Sequence, residues 1–200
     1  LAVSPLDKYF AAARGHQSEA GDVKALAMKR WFNTNYHYMV PEFDDGTEIK
    51  LDLTKLLSEY REALALGIQT KPVLIGPFTL LKLIRFTGQT QLSDVQADLV
   101  KAYADILSLL ATEEVAWLQL DEPALVFDLT KADIDLFKTL YTTLLPQKET
   151  VKILLQTYFG DVRDVYQTLI ALEVDGIGLD FVEGRKTAEL IQTHGFPADK

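Results

Sequence analysis

Five short β-rich runs, residues 33–40, 72–76, 116–121, 151–158 and 176–180, recur at centres roughly 24–45 residues apart. That interval is too long for hairpins. It suits strands joined by helical crossovers, a connection that makes the strands parallel. Between the runs the apolar period changes to 3.6. Leu53, Leu56, Leu57, Tyr60 and Leu64 form one helical stripe that ends at Gly67, a residue suited to the position just past a helix. Ser93 and Gln96 have capping-box spacing, and Leu99, Tyr103, Ile106, Leu107 and Leu110 follow as the buried face of a long helix. Thr130 and Asp133 open a third helix carrying Ile134, Phe137, Leu140, Tyr141 and Leu144, which must stop before Pro146. A fourth helix after Gly160 has Val162, Val165, Tyr166, Leu169 and Ile170 on one side.

This α/β alternation builds either a doubly wound open sheet or a (β/α)8 TIM barrel. The strand ends favour the barrel. They read Pro41-Glu42, Gly76-Pro77, Asp121-Glu122-Pro123, Tyr158 and Asp180, gathering polar groups at the face where barrels work. No Gly-x-Gly-x-x-Gly or Gly-x-x-x-x-Gly-Lys sequence follows a strand, so the phosphate signature common in open sheets is missing. Five strands cannot close an eight-stranded barrel. Residues 1–200 are therefore expected to form part of one barrel domain, an incomplete barrel with about five parallel strands.

Charge narrows the partners. The formal net charge is −9, and the cations are scattered among acids, which disfavours a nucleic-acid binder. The absence of cysteine removes disulfides, thiol nucleophiles and thiolate metal sites together. No run approaches about 18 apolar residues, and the start, Leu1-Ala2-Val3-Ser4-Pro5, lacks a basic end followed by an apolar stretch. The expectation is a cytoplasmic protein with no membrane partner. A start without Met suggests a piece of something longer.

Asp121-Glu122-Pro123 is the most site-like group. Proline disfavours helical backbone at Glu122, and the extended segment points Asp121 and Glu122 to opposite sides. One carboxylate then faces the barrel mouth, either for proton transfer or holding an ammonium, or as a cap on the next element; both readings stay open. Asp180 adds a second carboxylate at the same face. His16, His37 and His194 have no partners at metal-ligand spacing, and His37, inside Asn35-Tyr36-His37-Tyr38, reads as a hydrogen-bonded core residue. Trp31, Phe32, Tyr36 and Tyr38 read as packing. Lys29 and Arg30 are the one compact basic pair entering a strand. A rival reading, a barrel glycoside hydrolase, would use two of Glu42, Asp121, Glu122 and Asp180 across the mouth.

A longer pattern adds to this. The stretch Met28-Lys29-Arg30-Trp31-Phe32-Asn33-Thr34-Asn35-Tyr36-His37-Tyr38-Met39-Val40-Pro41-Glu42-Phe43 resembles the amino-terminal half of cobalamin-independent methionine synthase. Lys71-Pro72-Val73-Leu74-Ile75-Gly76-Pro77, Trp117-Leu118-Gln119-Leu120-Asp121-Glu122-Pro123-Ala124-Leu125 and Leu155-Gln156-Thr157-Tyr158-Phe159 fit the same family in the same order. The resemblance covers essentially the whole chain.

It implies an enzyme of two related barrels that moves a methyl group from 5-methyltetrahydropteroyltri-L-glutamate to L-homocysteine, making L-methionine. This chain would be the middle of the first barrel, with two strands before residue 33 and one after Lys200. Its partner would be the carboxy-terminal barrel, which carries zinc, homocysteine and the pterin. Where that barrel has a His-x-Cys pair and a glutamate as zinc ligands, this chain has Tyr158, Gly160 and Asp180, and a tyrosine and a glycine cannot replace an imidazole and a thiolate. No metal, cofactor or catalytic residue is expected in this segment, and Asp121, matching an aspartate that holds the homocysteine amino group, is expected to be structural here. One contact carries over: the family has a lysine where Arg30 stands, on the folate's glutamate tail. Arg30 keeps the charge and can pair bidentately with a carboxylate, with Lys29 as a weaker assistant.

Overall fold

The computed structural model describes residues 4–19 and 21–200, so the amino-terminal pentapeptide considered above lies in part outside them. In chain order the elements are α1 (Pro5–Arg14), β1 (Met28–Arg30), β2 (His37–Met39), β3 (Glu42–Phe43), α2 (Thr54–Ala65), β4 (Val73–Ile75) and α3 (Pro77–Leu83). There follow β5 (Arg85–Phe86), α4 (Leu92–Thr112), β6 (Trp117–Asp121), α5 (Lys131–Leu144), β7 (Lys152–Gln156), α6 (Tyr166–Ile170), β8 (Gly176–Gly178) and α7 (Thr187–His194). Short 3-10 turns at Pro123–Val126 and Leu145–Gln147 complete the order. The chain divides into two compact units, Leu1–Thr47 with Leu83–Gln91, and Glu48–Lys82 with Leu92–Lys200.

In the first unit the Ser4 hydroxyl accepts the Asp7 N–H at 3.1 Å and caps α1. The expected strand at 33–40 is corrected here. β1 and β2 pair antiparallel as a hairpin, and residues 33–40 supply its turn and second arm instead of a strand of the parallel sheet. The reason is local. Asn33-Thr34-Asn35 is turn chemistry: the Thr34 hydroxyl donates to the Trp31 carbonyl at 2.7 Å and accepts the Tyr36 N–H at 3.1 Å. Phe32 takes a left-handed φ of 51°, and the Trp31 N–H closes the turn on the Tyr36 carbonyl at 2.7 Å. β3 and β5 form a separate two-stranded parallel pair, with the Phe43 and Phe86 rings 5.9 Å apart.

The second unit holds a four-stranded, wholly parallel sheet in the order β4-β6-β7-β8. An α/β fold on a parallel sheet is thus as expected, with four of the five expected strands in it; β4 and β8 are its edges, and the sheet is not closed. Alternation along β6 and β7 makes one face dry: Leu118, Leu120, Ile153 and Leu155 are fully buried, while Gln119, Asp121 and Gln156 on the other face are half-buried. Leu99, Tyr103, Ile106, Leu107 and Leu110 of α4 and Phe137, Leu140, Tyr141 and Leu144 of α5 are buried as their period requires.

Helix boundaries follow local signals to differing degrees. Thr130 and Asp133 form the expected capping box, the Thr130 hydroxyl accepting the Asp133 N–H at 3.2 Å and the Asp133 carboxylate accepting the Thr130 N–H at 3.0 Å. α5 ends at Leu144, before Pro146. Ser93 falls one residue inside α4, where its hydroxyl donates to Asp94 instead of capping. The helix after Gly160 is shorter than its apolar stripe. Val162, Val165, Tyr166 and Leu169 are buried, yet only Tyr166–Ile170 is helical, because the Asp161 carboxylate accepts from the Arg163 guanidinium at 2.6 Å and the Lys186 N–H at 3.3 Å and holds the start as turns.

Candidate functional site

The carboxy-terminal ends of the parallel strands bring Ile75, Asp121, Gln156 and Gly178 level across the sheet. On its half-buried face a polar chain runs from Lys71, whose ammonium donates to Gln119 at 2.5 Å, through the Gln119 amide to Asp121 at 2.7 Å. The Tyr158 hydroxyl donates to the other Asp121 oxygen at 3.0 Å. Burial, followed by the Asp121 charge, pushes the Tyr158 phenol well above its ordinary value, so it stays a donor. Both Asp121 oxygens are engaged within the chain. Gln119 and Gln156, which the motif reading passed over, could have been found from the same alternation that placed Asp121.

Glu122 points the opposite way, as the extended segment requires, and is fully buried. Its carboxylate accepts the Phe78 N–H at 3.0 Å, the Thr79 N–H at 2.6 Å and the Tyr141 hydroxyl at 2.7 Å. The two N–H donors stand at the start of α3, so the carboxylate satisfies backbone groups that the helix leaves free. Burial raises its pKa to about 7 against the three donors that favour the charged form. Gly76 is required beside it, because a Cβ there would lie 2.2 Å from Glu122 Oε1. Buried in this way, Glu122 cannot meet a sugar, and Asp121 and Asp180 are each committed internally. Glu42, in the first unit, faces Arg85 at 3.7 Å. Nothing here favours the hydrolase reading.

Asp180 organises the loop after β8. One oxygen accepts the Phe159 and Gly160 N–H groups at 2.9 and 3.2 Å, and the other accepts the Val182 and Glu183 N–H groups at 2.7 and 3.0 Å. Burial pushes its pKa up, but the four N–H donors outweigh that and leave it below the usual carboxylate range. Tyr158, Gly160 and Asp180 therefore do not fit a zinc ion: the phenol is spent on Asp121, the glycine offers no donor, and both Asp180 oxygens are occupied. Among the described residues no group of three or more His, Asp or Glu could hold a metal ion. His194 meets Gln167 at 3.0 Å, and the backbone of His16 forms a bridge with Val23.

Arg30 and Lys29 lie in the first unit, on β1, and both are exposed. The register sets Arg30 opposite His37 and Lys29 opposite Tyr38. Neighbours along a strand face opposite sides, so Lys29 is turned away from Arg30. The expected core position of His37 is corrected: it is exposed, because the hairpin presents that face outward. The other face carries the packing aromatics, with the Trp31 ring 5.0 Å from Phe32 and 5.7 Å from Tyr38, whereas Tyr36 is 78% exposed.

Comparison with known proteins gives these features a family. Residues 2–200 match the model of the cobalamin-independent synthase, N-terminal domain. The chain is 52% identical over all 200 residues to a Campylobacter jejuni subsp. doylei protein and 54% identical to one from Streptococcus pneumoniae serotype 19F, both named 5-methyltetrahydropteroyltriglutamate–homocysteine methyltransferase. It covers 26% and 27% of those proteins, and so spans about a quarter of the length of the curated relatives it matches. A crystal structure from Listeria monocytogenes, described as a putative vitamin-B12 independent methionine synthase, matches 70% of this chain and 48% of its own with a TM-score of 0.59. At 19% identity that likeness speaks for the fold alone. The chain belongs to the cobalamin-independent synthase family, within its amino-terminal domain.

Proposed function

We propose that this chain is part of the amino-terminal barrel domain, of the (β/α)8 type, of a cytoplasmic enzyme that transfers a methyl group from 5-methyltetrahydropteroyltri-L-glutamate to L-homocysteine to form L-methionine. The observation that carries the reading is identity of 52–54% along the entire chain to relatives named for that reaction. In this reading zinc and the reacting groups belong to the carboxy-terminal barrel, this half's partner. The parallel sheet of the present chain is scaffold, since Asp121, Glu122 and Asp180 all serve internal partners. Arg30 is the substrate contact, an exposed guanidinium available to a carboxylate of the glutamate tail, and Lys29, on the opposite face, is at most an accessory.

Two measurements test this. The complete protein should form methionine from homocysteine and the triglutamate folate, and residues 1–200 alone should give no turnover above a heat-killed control. In the complete protein, Arg30→Ala should weaken the triglutamate by about 1.5–3 kcal/mol if the contact is a well-seated charge-assisted one, and the monoglutamate much less. An equal change for both, or one within the roughly 0.2–1 kcal/mol of an exposed pair, would return Arg30 to the solvated surface.

A further inference from the structure

The chain has two methionines and no cysteine, so all of its sulfur lies at Met28 and Met39. The hairpin sets these two directly opposite each other. The Val40 N–H bonds the Ala27 carbonyl and the Trp31 N–H bonds the Tyr36 carbonyl, each at 2.7 Å, which by alternation leaves Met28 and Met39 a non-hydrogen-bonded pair. In such a pair the strands come closest, about 4.5 Å between Cα atoms. Met28 is 63% exposed, and Met39 is partly covered. Arg30 follows Met28 by two residues, so alternation puts the thioether and the guanidinium on one face, their Cα atoms about 6.5 Å apart along the strand. Two such long side chains span that interval. The opposite face carries the packing of Trp31 on Tyr38, which involves neither methionine.

We propose that Met28 is a reversible oxidation site, and that its sulfoxide engages the Arg30 guanidinium and lowers the affinity of this face for the folate's glutamate tail. The proposal rests on the reading of Arg30 as a tail contact. The oxidant is a peroxide: a sulfur lone pair attacks one peroxide oxygen, the S–O bond forms as the O–O bond breaks, and the second oxygen leaves with both protons as water. Sulfur is oxidised by two electrons and the peroxide is reduced by two. An apolar thioether thereby becomes a polar acceptor, and Arg30 has five N–H donors to meet it. A carboxylate must then displace the sulfoxide. Reduction by a methionine sulfoxide reductase restores the thioether and frees the guanidinium.

The test uses the complete protein treated with dilute hydrogen peroxide, with peptide mapping by mass spectrometry and calorimetry of the triglutamate folate at fixed ionic strength. Residue 28 should gain oxygen several times faster than residue 39; a Met28 that stays reduced while Met39 is oxidised overturns the proposal. Oxidised parent should bind the triglutamate about three- to tenfold more weakly than reduced parent, the scale of one hydrogen bond, and sulfoxide reductase should restore it. Met28→Leu, close in volume, should lose less than about twofold after the same treatment. An equal loss in parent and variant would place the damage elsewhere and overturn the proposal. If Arg30→Ala weakens the triglutamate but oxidation of Met28 does not, the redox control is overturned and the reading of Arg30 survives. If Arg30→Ala leaves triglutamate affinity unchanged, that reading and the redox control built on it both fall.

Discussion

Replacing Glu122 with glutamine should flatten the stability of this chain between about pH 4.5 and 7. The carboxyl is fully buried and its pKa is raised from 4.5 to about 7 in the folded protein. Within that window the folded state holds a proton that the unfolded state has released, so the contribution of Glu122 to stability falls as pH rises through the window and is constant on either side. At about 1.4 kcal/mol per pH unit the loss amounts to about 3 kcal/mol. A glutamine in this position would not titrate, but it has a single acceptor oxygen for the Phe78, Thr79 and Tyr141 donors, and its amide group would face one of them. That mismatch costs about 1–3 kcal/mol at every pH. The variant should therefore be clearly less stable than the parent at pH 5 and close to it at pH 8. Urea unfolding followed by circular dichroism at pH 5, 6, 7 and 8 reads both curves. Parallel pH dependence in the two proteins would show that Glu122 does not titrate in this range and would refute the reasoning.

Gly76→Ala should destabilise by about 3 kcal/mol or more, because the new Cβ would lie 2.2 Å from the Glu122 carboxylate and neither group can yield; a loss below about 1 kcal/mol in the same urea assay would contradict this. Asp180→Ala should cost about 2–3 kcal/mol at pH 7 by stripping four N–H groups of their acceptor. Since the Asp180 pKa is lowered on folding, its contribution is present above the usual aspartate range and is lost as pH falls through the folded value; a variant that matches the parent at pH 7 but not in acid would reverse the sign.

Features that depend on neighbours a few residues away were legible in the chain. The Thr130–Asp133 capping box, the stop before Pro146 and the buried stripes of α4 and α5 are set by hydrogen bonds and periodicity within one helix, which operate wherever that helix is placed. The opposite facing of Asp121 and Glu122 is likewise a property of extended backbone ahead of proline. Residues 33–40 show where local chemistry stops being enough. Tyr36, Tyr38, Met39 and Val40 have strand character in either pairing, and only the partner strand decides between a hairpin with β1 and a place in the parallel sheet. The same partner choice decides whether His37 is buried or stands beside Arg30. Asp180 shows the limit at longer range: its carboxylate reads as a site residue in isolation, and its occupation by N–H groups from residues 159 and 160 exists only once β7 and β8 lie side by side. The α/β alternation, the two ends of α5 and the family could be read from the chain alone, because they rest on local chemistry and pattern. Which polar groups are spent on one another was settled by the packed fold, because a hydrogen bond between distant residues depends on register, and register is a property of paired strands.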